Sequence, residues 1–214
     1  SYNGSNFQLV LIVPEEDDVT GIVCSVDQTL FADAAKNDIK SVTVSTQLGQ
    51  VSIPVKSVSS LIKKSSKTGK VDISISVDDD RKITGPGSTG KITTDVYTVA
   101  VKIGSSKISS FNDRSGMRVS LPTGLKSSKS ESLVAVRVAS TGKCVPMPGC
   151  KYSSSAKQVT FKAVQTGDYA IIQNEVSFND TKLASWGAGY INSLSARGVI
   201  DGMAADPNPH YGVS

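Results

Sequence analysis

The chain has few of the side chains that most often carry chemistry. Its 214 residues include one histidine, one tryptophan and three cysteines, and aromatic residues make up 6% of the total. The histidine, His210, lies beside two prolines near the C-terminus with no nucleophile motif around it, so we expect a surface residue rather than a catalytic base. This scarcity of acids, bases and ligands in recognisable patterns predicts a protein with no enzymatic activity, no metal site and no cofactor.

Long apolar runs are also absent. No run approaches the ~20 residues that a membrane-spanning helix requires, which predicts no membrane span. The apolar run at residues 7–13 is too short, and neither a basic flank nor a cleavage site accompanies it, so no signal peptide is visible. An exported protein would therefore be represented here by a mature fragment. We expect residues 7–13 to form a strand buried on both faces, and the acidic residues 15–18 to form a solvated loop.

The charge is modest and uneven. The net charge is +4, and residues 174–214 hold two basic against four acidic side chains, which is −2 and leaves +6 for the remainder. The lysines are scattered among serines and threonines and are not interleaved with aromatic residues, so the pattern predicts no nucleic-acid surface. A hydrophobic content of 38% and a charged content of 20% are typical of a soluble folded protein.

Two of the cysteines enclose a short loop. Cys144 and Cys150 flank five residues rich in proline and glycine, between two strand-like runs. A disulfide that closes the tip of a hairpin is sterically reasonable there and suits an exported protein. A metal site is the alternative, but no histidine lies nearby to complete it. Cys24, in an apolar run, is typical of a small buried hydrophobic residue.

Strand-like alternation dominates the first 173 residues. Apolar and polar residues alternate strictly over residues 71–77, and shorter runs separated by Gly/Ser-rich turns follow as far as residue 172. Helical spacing occurs only around residues 28–35, where Asp27 suits an N-cap, and around residues 57–62. We therefore predict a mainly β (α+β) fold: a β-sandwich-like domain over residues 1–173 with two short helices, followed by a short helical segment over residues 174–214.

Part of this domain contains a repeated order of predicted elements. CSVDQTLFADAAKNDIKSVTVS and PVKSVSSLIKKSSKTGKVDISIS share a strand–helix–strand rhythm. We interpret this as an internal duplication over residues 24–77. Only two copies occur, and their spacing is shorter than that of solenoid arrays.

The most informative stretch is FNDTKLASWGAGYINSLSARGVIDG, residues 178–202. Its apolar residues lie near one face at helical spacing, with a polar start and a glycine stop. Its order and spacing resemble the S-layer homology (SLH) repeat of bacterial surface proteins at Phe178, Asp180, Trp186, Ile191, Leu194, Gly198, Ile200 and Gly202. The SLH repeat normally continues into a Thr-Arg-Ala-Glu-like segment, and the chain ends where that segment should begin.

The resemblance implies a location and partners. SLH repeats are helical modules that assemble side by side and grip a wall-linked secondary polysaccharide, to which an arginine of the continuing segment contributes. It therefore implies an extracellular protein of the bacterial cell surface or S-layer. The matched residues would serve packing against neighbouring SLH repeats and, in the complete unit, the glycan pocket. We expect the chain by itself not to hold the polysaccharide.

Residues 20–173 are also similar to a known module. VSIPVKSVSSLIKK, MRVSLPTGL, LVAVRVASTGKCVPMP and KYSSSAKQVTFKAVQTGDYAII resemble, in this order, the β-rich module that often precedes SLH repeats. That module commonly has a His-Phe-Ser-like triplet before its last strand, where this chain has Gln165, Thr166 and Gly167. Without a base and a nucleophile, self-cleavage is not expected. The predicted function is a structural or spacer module leading into an SLH anchor. The alternatives are a carbohydrate-binding module, with Tyr97, Tyr152 and Tyr169 as stacking candidates, or a protein-interaction module of a surface assembly.

Overall fold

A computed structural model describes residues 7–65, 69–79, 81–85, 91–93, 95–111, 116–124, 132–176, 178 and 185–200. The fold is mainly β with three short helices, and most strands belong to two sheets, which confirms the predicted mainly β (α+β) class. None of the helices in these ranges is long and apolar enough to cross a membrane.

Two large sheets contain most of the strands. The six-stranded sheet runs, from edge to edge, β1 (Gln8–Ile12), β3 (Ser41–Thr46), β4 (Gly49–Pro54), β10 (Met117–Pro122), β14 (Gln158–Ala163) and β13 (Lys151–Ser153). The seven-stranded sheet runs β12 (Cys144–Pro146), β11 (Leu133–Val138), β15 (Gly167–Gln173), β8 (Val96–Ile103), β5 (Lys70–Asp78) and β2 (Gly21–Asp27), with β9 (Ser106–Ile108) paired to β8. A separate pair is formed by β6 (Lys82–Thr84) and β7 (Lys91–Thr93). The helices are α1 (Thr29–Lys36), α2 (Val55–Ser65) and α3 (Ser185–Ala196).

Apolar side chains from both sheets meet in one hydrophobic core. On β5, Val71, Ile73 and Ile75 are buried because alternate residues of a strand point to the same side of the sheet. Phe161 of β14 and Tyr169 of β15 join the two sheets, with their ring centroids 5.0 Å apart. Burial of each large apolar side chain contributes about 1.5–3 kcal/mol, so this core is the main source of stability.

The first two helices connect one sheet to the other. The chain leaves β2, forms α1 and enters β3 in the opposite sheet, and it later leaves β4, forms α2 and returns to β5. At the start of α1, the Thr29 N–H and hydroxyl donate to Asp27 Oδ1 at 2.9 and 2.8 Å. The backbone hydrogen bond, followed by the hydroxyl, lowers the pKa of Asp27. Asp27 is not the N-cap that was predicted, because Gln28 occupies that position and its side chain makes no capping bond. Asp27 lies one residue earlier and still satisfies the otherwise unpaired N–H of Thr29, the first residue of the helix.

The strand pairing around these helices has an internal correspondence. β3 pairs antiparallel with β4, and β2 pairs antiparallel with β5, while α1 packs against α2. One strand–helix–strand unit is β2, α1 and β3, and the other is β4, α2 and β5. A twofold axis that exchanged these two units would also exchange the β3–β4 pair with the β2–β5 pair. This is the arrangement that a duplicated unit produces, although the duplication over residues 24–77 itself stays a prediction.

The strand at residues 7–13 is not buried on both faces, and that prediction was wrong. β1 is the edge strand of its sheet and pairs in parallel with β3. Leu9 and Leu11 pack against the core, whereas Val10 and Ile12 are 45% and 79% exposed on the outer face. An apolar run cannot by itself distinguish a central strand from an edge strand with one solvated face.

The predicted disulfide between Cys144 and Cys150 is also wrong, because all three cysteines are free thiols. Cys144 belongs to β12 in the seven-stranded sheet, whereas Cys150 leads into β13 in the six-stranded sheet. The loop between them is therefore a crossing from sheet to sheet and not a hairpin tip. Packed sheets lie about 10 Å apart, and a disulfide requires Cα atoms about 4.4–6.8 Å apart. Cys24 lies on β2 and is partly buried, close to the expectation for a small hydrophobic residue.

Candidate functional site

The helix of the SLH-like stretch is attached to the sandwich through its C-terminal end. Ala196, the last residue of α3, is buried in the core cluster. The Asn174 side-chain amide, just after β15, donates to the Ala196 carbonyl at 2.8 Å. The Arg197 guanidinium donates through Nε to the Cys150 carbonyl at 3.4 Å and through Nη1 to the Ser193 carbonyl at 2.8 Å. The bonds to Ala196 and Ser193 satisfy carbonyls that the end of a helix leaves unpaired, and the bond to Cys150 connects this helix end to the sheet-crossing loop.

Gly198 ends α3 as predicted, by a defined backbone geometry. It has φ +66°, its N–H donates to the Ser195 carbonyl at 2.9 Å, and the Val199 N–H donates to the Leu194 carbonyl at 3.0 Å. These two bonds form a Schellman motif, which requires a left-handed residue at this position. Pro146 of β12 lies 3.6 Å from where a Cβ on Gly198 would be, so the helix end adjoins the sheet-crossing loop.

Large apolar side chains line the other side of α3. Trp186 is 85% exposed, Tyr190 74% and Leu194 42%. The three residues are spaced by four along the helix, so they share one face. We call Trp186, Tyr190 and Leu194 the open face of α3. Ala196, which belongs to the core cluster, lies on the opposite side of the helix from Leu194.

The other residues of the SLH-like pattern fall into two groups. Phe178 is buried, and Ile191 and Ile200 are partly buried. Asp180 and Gly202 lie outside the described residues, as does His210. The structure therefore brings Trp186 and Leu194 together on one helix face but does not pack them against the sandwich. Their predicted packing against further repeats stays a prediction.

The contacts that attach α3 were not predicted from the sequence. Asn174 and Arg197 lie outside the apolar pattern, and each bonds to a carbonyl that only the tertiary fold brings close. Asn174 itself carries no local signal for this role. An arginine in the last turn of a helix is a weak signal for carbonyl capping, which could have pointed to Arg197.

The tyrosines considered for sugar stacking are mostly inside the protein. Tyr97 and Tyr169 are buried cross-strand neighbours on β8 and β15, and burial raises the pKa of each to about 12. The Tyr169 hydroxyl donates to the Gln165 carbonyl at 2.5 Å. Only Tyr152 is partly accessible. Neither buried ring is available to stack on a sugar.

The turn at Gln165, Thr166 and Gly167 has a structural role. The Thr166 hydroxyl is buried and donates to the Ile108 carbonyl at 2.6 Å, and the Thr166 N–H donates to the Ser109 carbonyl at 3.1 Å. Gly167 has φ +144°, a conformation that favours glycine. The Thr166 side chain and backbone therefore hold this turn against the end of β9 and the residue that follows it.

Within the described part of the chain, no group of three or more His, Cys, Asp or Glu side chains is placed to hold a metal ion. Comparison with protein-family models, with curated proteins and with solved structures finds no match to this chain. The resemblance to SLH repeats therefore rests on the residue pattern of residues 178–202.

Proposed function

We propose that the chain is a non-catalytic structural module of an exported bacterial cell-surface protein. The β sandwich acts as a spacer, and α3 is the first helix of an SLH anchor. The open face of α3 packs against neighbouring SLH repeats, and the completed unit, rather than this chain alone, binds a secondary cell-wall polysaccharide. The observation that carries this proposal is the exposure of Trp186 and Tyr190 on a helix that is attached elsewhere.

Burying the open face against a packing partner would be energetically favourable. Burial of a Trp, Tyr or Leu side chain contributes about 1.5–3 kcal/mol, and adjacent exposed apolar residues commonly mark an interaction surface. Because α3 is anchored through Ala196 and Arg197, the face is presented in a fixed orientation to whatever follows. A partner helix would therefore gain this apolar contact without having to order α3 first.

A second copy of the chain could also cover the open face, which corresponds to a protein-interaction module of a surface assembly. The same exposed Trp186 and Tyr190 favour that reading. The two readings differ in their response to concentration, because self-association increases with protein concentration whereas packing within one chain does not. Sedimentation velocity over a range of concentrations separates them.

The proposal is tested with a chimera in which residues 1–200 continue into complete SLH repeats. Trp186 is the only tryptophan of this chain, so with tryptophan-free repeats its fluorescence reports on this face alone. In the isolated chain we expect red-shifted emission and strong quenching by acrylamide. In the chimera we expect a blue shift, protection from acrylamide and sedimentation with purified cell walls, whereas the isolated chain stays in the supernatant.

The matched control is the chimera with Tyr190→Ser and Leu194→Ser, in which the open face loses apolar area but keeps the reporter. We expect this variant to regain acrylamide quenching. If Trp186 remained fully quenched in a folded chimera that binds walls, α3 would not be part of the anchor. Tight binding of the isolated chain to walls would contradict the assignment of binding to the completed unit.

A further inference from the structure

The outer face of the six-stranded sheet contains a groove of about 630 Å³. Its volume lies within the range of about 300–1,000 Å³ that is usual for ligand sites. Strands β3, β4, β10 and β14 supply most of the lining, with hydroxyl and amide side chains along its floor. The cations Lys40, Arg118 and Lys162 also line it, whereas none of the described lining residues is an aspartate or a glutamate.

The strand register arranges these groups in rows across the sheet. Thr43 on β3 lies opposite Ser52 on β4, Ser52 lies opposite Arg118 on β10, and Arg118 lies opposite Lys162 on β14. In the next row, the Ser120 and Thr160 hydroxyls are 2.7 Å apart. Four strands spaced by ~4.8 Å give a row about 14 Å long, with hydroxyls at one end and cations at the other.

Two of these cations, Arg118 and Lys162, are neighbours, and neither has a counter-ion among the described residues. Arg118 and Lys162 are direct cross-strand partners on the same face, and like charges in this position destabilise a sheet. Neither forms an ion pair within the part of the chain that the structure describes, and the third cation, Lys40, is 3.4 Å from the exposed carboxylate of Asp38. On the seven-stranded sheet, Lys102 lies opposite Lys107 on β9, but its cross-strand neighbour on the other side is the acidic Asp72. The pair in the groove differs in that Arg118 has Ser52, and no acidic residue, on its other side.

Thr43 provides an independent observation at the other end of the row. Its side chain is 4% exposed, and its Oγ1 has no hydrogen-bond partner among the described residues. A buried hydroxyl without a partner carries a desolvation cost that a valine of the same shape would avoid. A polar ligand that reached the floor of the groove would supply the missing partner.

We propose that this groove binds an anionic polysaccharide. A carboxylate or phosphate substituent lies between Arg118 and Lys162 and relieves their repulsion, while sugar hydroxyls bond to the hydroxyl and amide groups along the row. No aromatic side chain lines the groove among the described residues, which disfavours the base stacking that single-stranded nucleic acids use. The site is separate from α3 and does not depend on the function proposed for that helix.

Binding of defined polymers to the whole chain, measured by isothermal titration calorimetry, tests this proposal. The probes are oligogalacturonate as the carboxylated chain, poly(glycerol phosphate) as the phosphorylated chain, and dextran as the neutral chain. We expect at least one anionic polymer to bind, dextran not to bind, and the affinity to fall as salt is raised. Arg118→Gln and Lys162→Gln should each weaken binding about tenfold, as the loss of one charge-assisted hydrogen bond does.

Lys102→Gln is the matched control, because it removes the same charge from the outer face of the other sheet. It should leave the affinity within about twofold. Thr43→Val should weaken binding without lowering the thermal midpoint, which separates loss of a ligand contact from damage to the fold. The proposal is overturned if neither anionic polymer binds, if Lys102→Gln weakens binding as much as Lys162→Gln, or if oligothymidylate binds as tightly as the acidic glycans.

Discussion

Alkaline pH should destabilise this protein through two neighbouring tyrosines. Tyr97 and Tyr169 are direct cross-strand partners, only 6% and 1% exposed. Burial disfavours the phenolate and raises the pKa of each residue from 10.0 to about 12. For Tyr169 the neutral phenol is also needed as a donor, because its hydroxyl bonds to the Gln165 carbonyl.

The sign follows from proton binding. The folded chain holds both phenol protons more tightly than the unfolded chain, whose tyrosines ionise near pH 10. The folded state therefore binds more protons between pH 10 and 12. The stabilisation is complete below pH 10 and is lost as the pH rises toward 12. One pKa unit corresponds to about 1.4 kcal/mol, so ionisation of each tyrosine should cost on the order of 2–3 kcal/mol of unfolding free energy.

Urea unfolding followed by far-ultraviolet circular dichroism measures this loss, and phenolate absorbance measures the ionisation itself. Tyr169→Phe should be about 1 kcal/mol less stable near neutral pH because it loses the bond to Gln165, yet it should lose less stability than the wild type above pH 10. Tyr97→Phe should remove the other phenol with a raised pKa. The explanation would be refuted if stability did not fall between pH 10 and 12, or if Tyr169→Phe had the same alkaline profile as the wild type. In either case, ionisation of these buried phenols would not determine the stability at alkaline pH.

Three further predictions concern charge, packing and thiol chemistry. Arg118→Gln should raise the unfolding free energy by about 0.2–1 kcal/mol, because it removes a like charge opposite Lys162, and a decrease measured by urea unfolding would contradict this account. Phe161→Ala should lower the unfolding free energy by about 3–5 kcal/mol because it opens a cavity between the sheets, whereas an unchanged midpoint would mean that the ring does not join them. A thiol reagent should titrate all three cysteines in urea without prior reduction. In the folded protein, Cys144 and Cys150 should react much more slowly because they are buried. A mass change on reduction would contradict the free-thiol assignment.

Local patterns were sufficient for the fold class and for several elements. The strict alternation around Ile73 and Ile75 predicted a half-buried strand, which is present. Asp27 predicted the start of a helix, and that helix is present with its N-cap one residue later, at Gln28. Gly198 likewise predicted the end of α3. These predictions succeed because the signal lies within a few residues and reflects backbone geometry that the side chains dictate directly.

Predictions that depended on which sheet a strand joins failed. Cys144 and Cys150 are close in sequence, but strands β12 and β13 belong to different sheets, and no residue between them signals the crossing. Residues 7–13 had the composition of a central strand, yet their position at the edge depends on pairing with β3, about thirty residues later in the chain. Pairing across such distances is set by the whole core rather than by the local segment.

The groove on the six-stranded sheet could not be found from the sequence for the same reason. Arg118 and Lys162 are far apart in the chain and look like ordinary polar positions of alternating strands. Their juxtaposition appears only when β10 and β14 are placed in register. The open face of α3 could be predicted only in part. The sequence showed the helical spacing of Trp186 and Tyr190 but not which side of the helix is buried.

The edge position of β1 has a consequence for aggregation. An edge strand offers unpaired backbone groups to any other extended chain, and β1 adds exposed Val10 and Ile12 beside them. Directly after β1, Pro14 cannot donate to a ladder, and the acidic residues 15–18 repel a second copy approaching in the same way. This segment thus acts as a gatekeeper against uncontrolled strand addition, so neutralising its charges should favour fibrous aggregation before it affects folding.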